Sequence, residues 1–358
     1  MVFRLKENNG WFEFHNNPVN VVKLPNRIND PFHAVNYVIK NCCPNTKETF
    51  SSIAANDSCV AVMSSHALSD GGFFMKLFPN LLNNNIKQNN TIPLPQQELF
   101  QNEIKKFNLN SYETTTDIDY LTKTKFSYPS KNIPNSTLRT SISNSINVKD
   151  LQCYDKSNNK VNGLTESLLL ALTLSISATN DKNIPLRIGS KCCVDMRKYM
   201  KNVDEKVGNN FSVANVVMKK VNGSCSLREA GKILRKDLNK KIQRENIMKT
   251  IFKTFKFDKT QLLPGLSNIG QFHLVSPIND MYIQQTMFSK AFEVEIELTT
   301  FSKISNEKNT IETNLKYSPS VISYEKGMKI SKSINHILTK IPLDSTIDSV
   351  LSEINKLK

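Results

Sequence analysis

Long apolar runs are missing from this sequence of 358 residues. A membrane-spanning helix needs about 20 predominantly apolar residues, whereas the longest apolar run, at residues 168–174, is interrupted by Thr173 and fits a buried helix. The N-terminus at residues 1–9 carries basic residues but is not followed by the apolar core of a signal peptide. We therefore expect a cytoplasmic protein without a transmembrane segment.

Paired cysteine motifs are also absent, because no Cys-x-x-Cys occurs among the seven cysteines. Their number is odd, two pairs are adjacent in the chain, and no Cys/His cluster has the spacing of zinc ligands. We interpret them as buried thiols in a reducing compartment and expect no metal site. The seven are Cys42, Cys43, Cys59, Cys153, Cys192, Cys193 and Cys225.

The signatures of several enzyme classes are absent as well. The sequence has no Walker loop and no Gly-x-Gly-x-x-Gly, so nucleotide hydrolysis and dinucleotide redox chemistry have no support. It has no Gly-x-Ser-x-Gly, so a serine hydrolase is unsupported. His15, His33, His273 and His336 have no cysteine or carboxylate at ligand spacing, and we expect core or surface positions for them.

Positive charge is present in excess, with a formal net charge of +15. Such a charge can attract nucleic acid, an anionic membrane or a phosphate-bearing ligand. The excess is spread along the chain instead of forming one block, which favours a lysine-rich surface that keeps the protein soluble. Its densest stretch, residues 219–259, follows a predicted helix, where contact with ligand phosphates is the alternative interpretation. We expect no nucleic-acid partner.

Apolar residues make up 39% of the chain, which is enough for a sizeable core in one large unit or two subdomains. The predicted elements mix strands and helices without the strict alternation of a doubly wound parallel sheet. A Ser226–Glu229 capping box opens the longest predicted helix. Helices are predicted near residues 96–107 and over 165–174, 226–256 and 325–338, and strands over 188–194, 211–218, 292–298 (with one solvated face) and 310–317.

One segment stands out on chemical grounds: residues 66–72 read His-Ala-Leu-Ser-Asp-Gly-Gly. An apolar run at residues 58–64 predicts a buried strand before it, and apolar residues at helical spacing from Phe73 to Leu82 predict a helix after it. Histidine is the natural base at neutral pH, and a carboxylate four residues later can brace the loop. Alone, the pattern is equally compatible with a loop histidine and an Asp70 helix N-cap.

Three further segments follow in order. They are Val194-Asp195-Met196-Arg197, Gly208-Asn209 and Ser267-Asn268-Ile269-Gly270. With residues 66–72 they resemble the chloramphenicol acetyltransferase-like superfamily, which includes alcohol acetyltransferases, plant hydroxycinnamoyl-type acyltransferases and condensation domains of peptide synthetases. The resemblance covers about residues 59–338. The plant Asp-Phe-Gly-Trp-Gly segment is absent, and Ser65 stands where condensation domains commonly carry a second histidine.

The resemblance implies roles for the residues that match. His66 is the expected general base, and Asp70 is expected to be a structural brace that pairs with Arg197 across the two halves of the chain. Gly71 is expected to allow close approach of chain or substrate. Three side chains are expected to shape a channel or donate hydrogen bonds in it, with turn or loop roles as the alternative: Asn209, Ser267 and Asn268.

The resemblance also implies a fold class, α/β with mixed sheets, in two subdomains with a channel between them. We expect an N-terminal subdomain at residues 1–120, shortened at its start, a crossover linker at 121–140, and a C-terminal subdomain at 141–358. The expected reaction moves an acyl group, most simply acetyl, from acyl-CoA to an alcohol or amine. Acyl-CoA is a co-substrate, no cofactor is bound, and a monomer is expected. The alternatives are a transferase that uses a carrier-bound thioester and a catalytically inactive relative that acts as a binding protein.

Overall fold

A computed structural model of the chain describes twelve stretches of residues. They are 4–8, 11–15, 21–42, 51–66, 69–82, 119–124, 140–180, 184–199, 208–243, 263–285, 295–319 and 322–357. None of the helices in these stretches is both long and apolar enough to cross a membrane. The predicted helix at residues 96–107 lies outside them, as do Cys43 and residues 244–256 of the predicted basic helix.

The described elements mix strands and helices. The strands are β1 (Arg4–Asn8), β2 (Trp11–His15), β3 (Val21–Lys23), β4 (Ser51–Ala55), β5 (Val60–Ser64), β6 (Thr140–Asn147), β7 (Tyr154–Asp155), β8 (Lys160–Val161), β9 (Ile188–Asp195), β10 (Phe211–Met218), β11 (Leu263–His273), β12 (Glu295–Ile304) and β13 (Asn309–Tyr317). The α-helices are α1 (Pro31–Asn41), α2 (Gly71–Leu82), α3 (Leu164–Ser177), α4 (Leu227–Gln243), α5 (Tyr324–Thr339) and α6 (Ile347–Asn355).

The chain divides into two compact units that do not follow it linearly. Unit 1 comprises Met1–Phe100, Asp195–Phe211 and Phe272–Thr286, and unit 2 comprises Gln101–Val194, Ser212–Gln271 and Met287–Lys358. This division differs from the linear one expected from the sequence. The segment Asp195–Phe211 groups with unit 1 because its Arg197 forms a buried ion pair with Asp70 and its Asn210 N–H donates to the same carboxylate.

Unit 1 contains a three-stranded sheet in the order β3-β4-β5, with β3 parallel and β5 antiparallel to β4. Helix α1 packs on one face of this sheet, where Ala34 and Val38 join Ala54 and Ala61 in a small core. The helix begins at Pro31 and is capped by Asp30, whose side chain accepts a hydrogen bond from a backbone N–H in the first turn. Two strands of this sheet, β3 and β4, and helix α1 therefore precede β5 in the chain.

Unit 2 contains a mixed six-stranded sheet in the order β10-β9-β11-β12-β13-β6. Its β9 and β11 are parallel, whereas β12, β13 and β6 are successively antiparallel. Helix α3 belongs to the hydrophobic core of this unit. Every residue at 168–176 is buried, as the nearly continuous apolar sequence of the helix predicts. Helix α4 opens with the predicted capping box, since the Ser226 N–H donates to Glu229 and the Glu229 N–H donates to the Ser226 hydroxyl.

The strand predicted at residues 292–298 is described from Glu295, and its predicted solvated face is wrong at Glu297. Glu297 is only 9% exposed, and its carboxylate lies 3.9 Å from the Lys316 ammonium on β13. That ammonium also donates to the Thr299 hydroxyl at 2.9 Å. The Glu297 carboxylate thus lies in a buried polar network instead of facing solvent, because a buried charge needs a partner.

A short part of the predicted crossover is described and is docked on β9. The Thr122 N–H donates to the Gly189 carbonyl at 2.9 Å, and the Thr122 hydroxyl donates to the Arg187 carbonyl at 2.8 Å. A side chain at Gly189 would lie 2.6 Å from the Tyr120 carbonyl oxygen. Glycine is therefore required at this crossing, where two backbones come into direct contact.

Tyr317 gives a prediction about alkaline stability. Its side chain is 0% exposed, and its hydroxyl has no hydrogen-bond partner among the residues that the structure describes. Burial raises the pKa of Tyr317 from 10.0 to about 12. The phenol therefore ionises in the unfolded chain before it ionises in the folded one, so its contribution to stability is present below pH 10 and falls as pH rises towards 12.

We expect Tyr317→Phe to unfold less readily than the native chain in alkali. It should gain about 1 kcal/mol at neutral pH, because an unpaired buried hydroxyl is removed. The gain should widen between pH 10 and pH 12, where only the native protein loses the phenol's contribution. Urea unfolding of both proteins across this range measures the difference. A difference that does not change with pH would show that Tyr317 ionises normally in the folded state.

Candidate functional site in unit 1

The candidate site lies on the turn that the sequence predicts between a strand and a helix. β5 ends at Ser64, His66 follows in a turn, and α2 begins at Gly71. His66 is exposed, whereas Asp70 is buried. The His66 imidazole is therefore accessible while the carboxylate four residues later turns into the protein.

Asp70 is saturated with hydrogen bonds. Its Oδ1 accepts from the Phe73 N–H at 2.7 Å and from Arg197 Nη2 at 2.8 Å. Its Oδ2 accepts from the Asn210 N–H at 2.7 Å and from Arg197 Nη1 at 3.0 Å. A carboxylate accepts about four hydrogen bonds, so no free acceptor position is left for a proton relay. Asp70 thus acts as a helix cap and an ion-pair partner at once.

Arg197 reaches Asp70 from a short 3₁₀-helix, Met196–Tyr199, that follows β9. Its guanidinium also donates to Asp195 Oδ1 at 3.1 Å and to the Gly208 carbonyl at 2.7 Å. Burial alone would lower the pKa of Arg197, but the hydrogen bonds and charges of Asp70 and Asp195 outweigh it and raise the pKa. The ion pair that the sequence predicts is thus present. Both partners lie in unit 1, although they are far apart in the sequence.

Gly72 lies in close approach to this ion pair. A methyl group at Gly72 would lie 2.3 Å from Arg197 Nη1 and 3.3 Å from Asp195 Oδ2. The guanidinium lies directly over the first turn of α2, where only glycine leaves room for it. Gly71 is half-buried at the first position of the helix, and its predicted role remains a prediction.

We expect Gly72→Ala to lower the free energy of unfolding by about 1–3 kcal/mol, because the new methyl group would displace the buried guanidinium. Gly231→Ala is the matched control, since it also lies in a helix but a methyl group there would have its nearest neighbour at 3.5 Å. Removing that glycine should be neutral or stabilise α4 by up to about 1 kcal/mol. Chemical denaturation measures both, and equal stability changes in the two variants would contradict the close approach at Gly72.

Residues 208–211, which lead into β10, complete the site. Gly208 has a φ of 94°, which side-chain-bearing residues rarely adopt. The Asn210 N–H donates to Asp70, and the Asn210 carbonyl accepts from the Met196 N–H at 2.8 Å. The Asn209 side-chain amide donates to the His66 carbonyl. The Phe211 ring lies against the His66 imidazole, with ring centroids 5.0 Å apart.

The structure brings four predicted residues together in unit 1: His66, Asp70, Arg197 and Asn209. Two of the remaining predicted residues, Ser267 and Asn268, are half-buried within β11 in unit 2, which is a strand and not the loop that the alternative interpretation requires. Sequence reasoning missed the contacts of Gly72 and Phe211. The Gly-Gly pair and the aromatic residue directly after Gly-Asn-Asn were the available signals.

Two other histidines have carboxylate partners that the sequence spacing did not predict. His33 Nδ1 lies 2.5 Å from Asp30 at the start of α1, and His336 Nε2 lies 2.7 Å from Glu353 between α5 and α6. Both pairs belong to helix ends or helix packing. No group of side chains within the described stretches could hold a metal ion.

The cysteines are free thiols in the part of the chain that the structure describes. Cys42, Cys153 and Cys192 are buried, and Cys59, Cys193 and Cys225 are half-buried. Burial raises the pKa of the Cys192 thiol to about 12 and also raises the pKa of Cys153. A raised pKa keeps a thiol protonated and unreactive, so neither of these two cysteines is suited to act as a nucleophile.

Comparisons with known proteins address the fold. Neither the protein-family models nor the curated sequences compared with the chain give a match. The chain is similar to the first condensation domain of the calcium-dependent antibiotic synthetase, solved with a substrate analogue, with a TM-score of 0.59 and 10% identity over 97% of this chain and 86% of that one.

Two further solved structures are similar over most of their length. One is the trichothecene 15-O-acetyltransferase of Fusarium sporotrichioides, with a TM-score of 0.56 and 12% identity over 85% of this chain and 74% of that one. The other is the X-domain in complex with OxyB from teicoplanin biosynthesis, with a TM-score of 0.57 and 10% identity over 99% of this chain and 83% of that one. The chain therefore has the chloramphenicol acetyltransferase-like fold that the sequence motifs predict.

Proposed function

We propose that this protein is an acyltransferase that moves an acyl group from acyl-CoA to an alcohol or amine, with His66 as the general base. The observation that carries the proposal is the contrast between the two side chains of the motif. The His66 imidazole is exposed, while all acceptor positions of Asp70 are occupied by Arg197 and two backbone N–H groups. The loop is thus fixed while its base stays accessible.

The proposed reaction follows from this contrast. The imidazole takes the proton of the acceptor hydroxyl or amine as the acceptor's oxygen or nitrogen attacks the thioester carbonyl carbon. A tetrahedral intermediate forms, the carbon–sulfur bond breaks, and the imidazolium returns its proton to the leaving thiolate. Asp70 contributes by holding the loop in place, because a saturated carboxylate cannot accept a proton from the imidazole without losing a hydrogen bond.

A second candidate uses a thioester bound to a carrier protein in place of acyl-CoA. The similarity to a condensation domain solved with a substrate analogue supports it. A third candidate is a catalytically inactive binding protein, which the similarity to an X-domain in complex with OxyB supports. The exposed His66 favours turnover over the third candidate, because an inactive protein has no need for an accessible base on a braced loop.

The test is acceptor-dependent release of free thiol from a panel of acyl-CoA thioesters, beginning with acetyl-CoA, with small alcohols and amines as acceptors. Release that rises with acceptor concentration supports the proposal. Release from acyl groups on a carrier protein, but from no acyl-CoA, would favour the condensation-type candidate. Saturable binding of a thioester without turnover under any of these conditions would favour the binding protein.

A further inference from the structure

We propose that Asn209 and Phe211 are positioning residues that hold His66, and that the Asp70–Arg197 pair acts on His66 through them. This inference rests on the proposed function and concerns residues 208–211, which lead into β10. It assigns to Phe211 a role that the motif alone does not suggest. It also gives the ion pair a route to the imidazole other than the loop that joins Asp70 to His66.

The first step is the anchoring of residues 208–211. Arg197 Nη2 donates to the Gly208 carbonyl at 2.7 Å, and Asp70 Oδ2 accepts from the Asn210 N–H at 2.7 Å. The Asn210 carbonyl accepts from the Met196 N–H at 2.8 Å. Every one of these bonds involves residue 208 or 210, so the two halves of the ion pair fix alternate residues of the segment.

The second step is the contact of the intervening residues with His66. The Asn209 amide donates to the His66 carbonyl, which holds the backbone, and the Phe211 ring lies 5.0 Å from the imidazole at an interplanar angle of 47°. Backbone groups of residues 208 and 210 thus bond to the ion pair, while the side chains of residues 209 and 211 contact the histidine.

The third step is the physical consequence for an exposed side chain. A histidine on a turn samples several rotamers unless neighbouring groups restrict it. Holding a catalytic group within a narrow range of orientations contributes strongly to rate, and a displacement of about 1 Å can cost a hundredfold. The Phe211 ring closes one side of the imidazole and so selects the orientations in which the proton can be taken.

A spectroscopic test needs no substrate. The chain has only five histidines, so selective isotope labelling resolves their ring signals and His66→Gln identifies that of His66. Phe211→Leu should shift the His66 ring signals by removing the aromatic ring current, whereas Phe211→Tyr should keep them near their native positions. Phe78→Leu is the matched control, because Phe78 is also half-buried in unit 1 but packs against Phe272. Unchanged His66 signals in Phe211→Leu would overturn the inference.

A kinetic test separates positioning from folding. Phe211→Leu should lower kcat by about tenfold to a hundredfold with KM little changed, while Phe211→Tyr keeps most of the rate. Because Asp70 acts through the same segment, Asp70→Asn and Phe211→Leu together should cost less than the product of their separate effects. Multiplicative effects, or an unchanged kcat in Phe211→Leu, would overturn the inference. Failure of the native enzyme to turn over would instead count against the proposed function, since the spectroscopic contact can be measured without turnover.

Discussion

Replacing Arg197 with methionine is expected to lower the free energy of unfolding by about 3–5 kcal/mol, because it leaves the Asp70 carboxylate buried without its cation. The two side chains are only 3% and 5% exposed. Removing one partner of a buried pair costs more than the pair itself contributes, because the remaining charge keeps its desolvation penalty. The Gly208 carbonyl and Asp195 would lose hydrogen bonds in the same change.

Arg228→Met is the control for this prediction. It removes a similar ion pair, with Asp344 at 2.8 Å, but those side chains are 51% and 77% exposed. Exposed pairs contribute about 0–1 kcal/mol, so the control should unfold almost as the native protein does. Urea unfolding of the two variants measures the difference. If both variants lose the same stability, the Asp70–Arg197 pair is not buried as the structure has it.

Arg197→Lys should restore little of the lost stability. The guanidinium spans both oxygens of Asp70 and reaches Asp195 and the Gly208 carbonyl at the same time. An ammonium carries three donors on a single nitrogen and cannot reproduce that planar fork. Full recovery with lysine would mean that charge alone, without the hydrogen-bond geometry, accounts for the stability of the pair.

The pairing of Asp70 with Arg197 could be predicted because both residues belong to motifs, and a carboxylate turned into the protein requires a cation. The elements around them follow from local patterns: the strand β10 has the bounds Phe211–Met218 that the sequence predicts. The bounds of β10 and the strand-to-helix placement of the motif depend on residues that are close together in the sequence. Both could therefore be predicted.

The features that could not be predicted depend on contacts between distant parts of the chain. Gly72 must be glycine because the Arg197 guanidinium lies against it, and no residue near Gly72 in the sequence indicates this contact. The sequence places Glu297 on a solvated strand face, whereas in the structure it is paired with Lys316 on β13. The contact of Phe211 with His66 likewise needs the start of β10 to meet the turn after β5.

His66→Gln is expected to reduce kcat by about 10²–10⁴-fold, the usual contribution of a general base. Glutamine keeps a polar side chain of similar reach but cannot take a proton in this pH range. Because His66 is exposed, the free energy of unfolding should change by no more than about 0.5 kcal/mol. Arg197→Met, in contrast, should lose stability along with activity. The two variants therefore separate the chemistry of the motif from its architecture.

His273→Gln is the matched control, since His273 is also an exposed histidine of unit 1. Its kcat should equal that of the native enzyme, and its unfolding curve should overlay the native curve. The measurements are kcat, from acceptor-dependent thiol release, and urea unfolding. Both are made on the native protein, His66→Gln and His273→Gln. A His66→Gln variant that turns over at the native rate would remove His66 from the reaction and leave the loop as a capped helix start. A rate loss accompanied by unfolding would instead assign His66 to the architecture that Asp70 and Arg197 maintain.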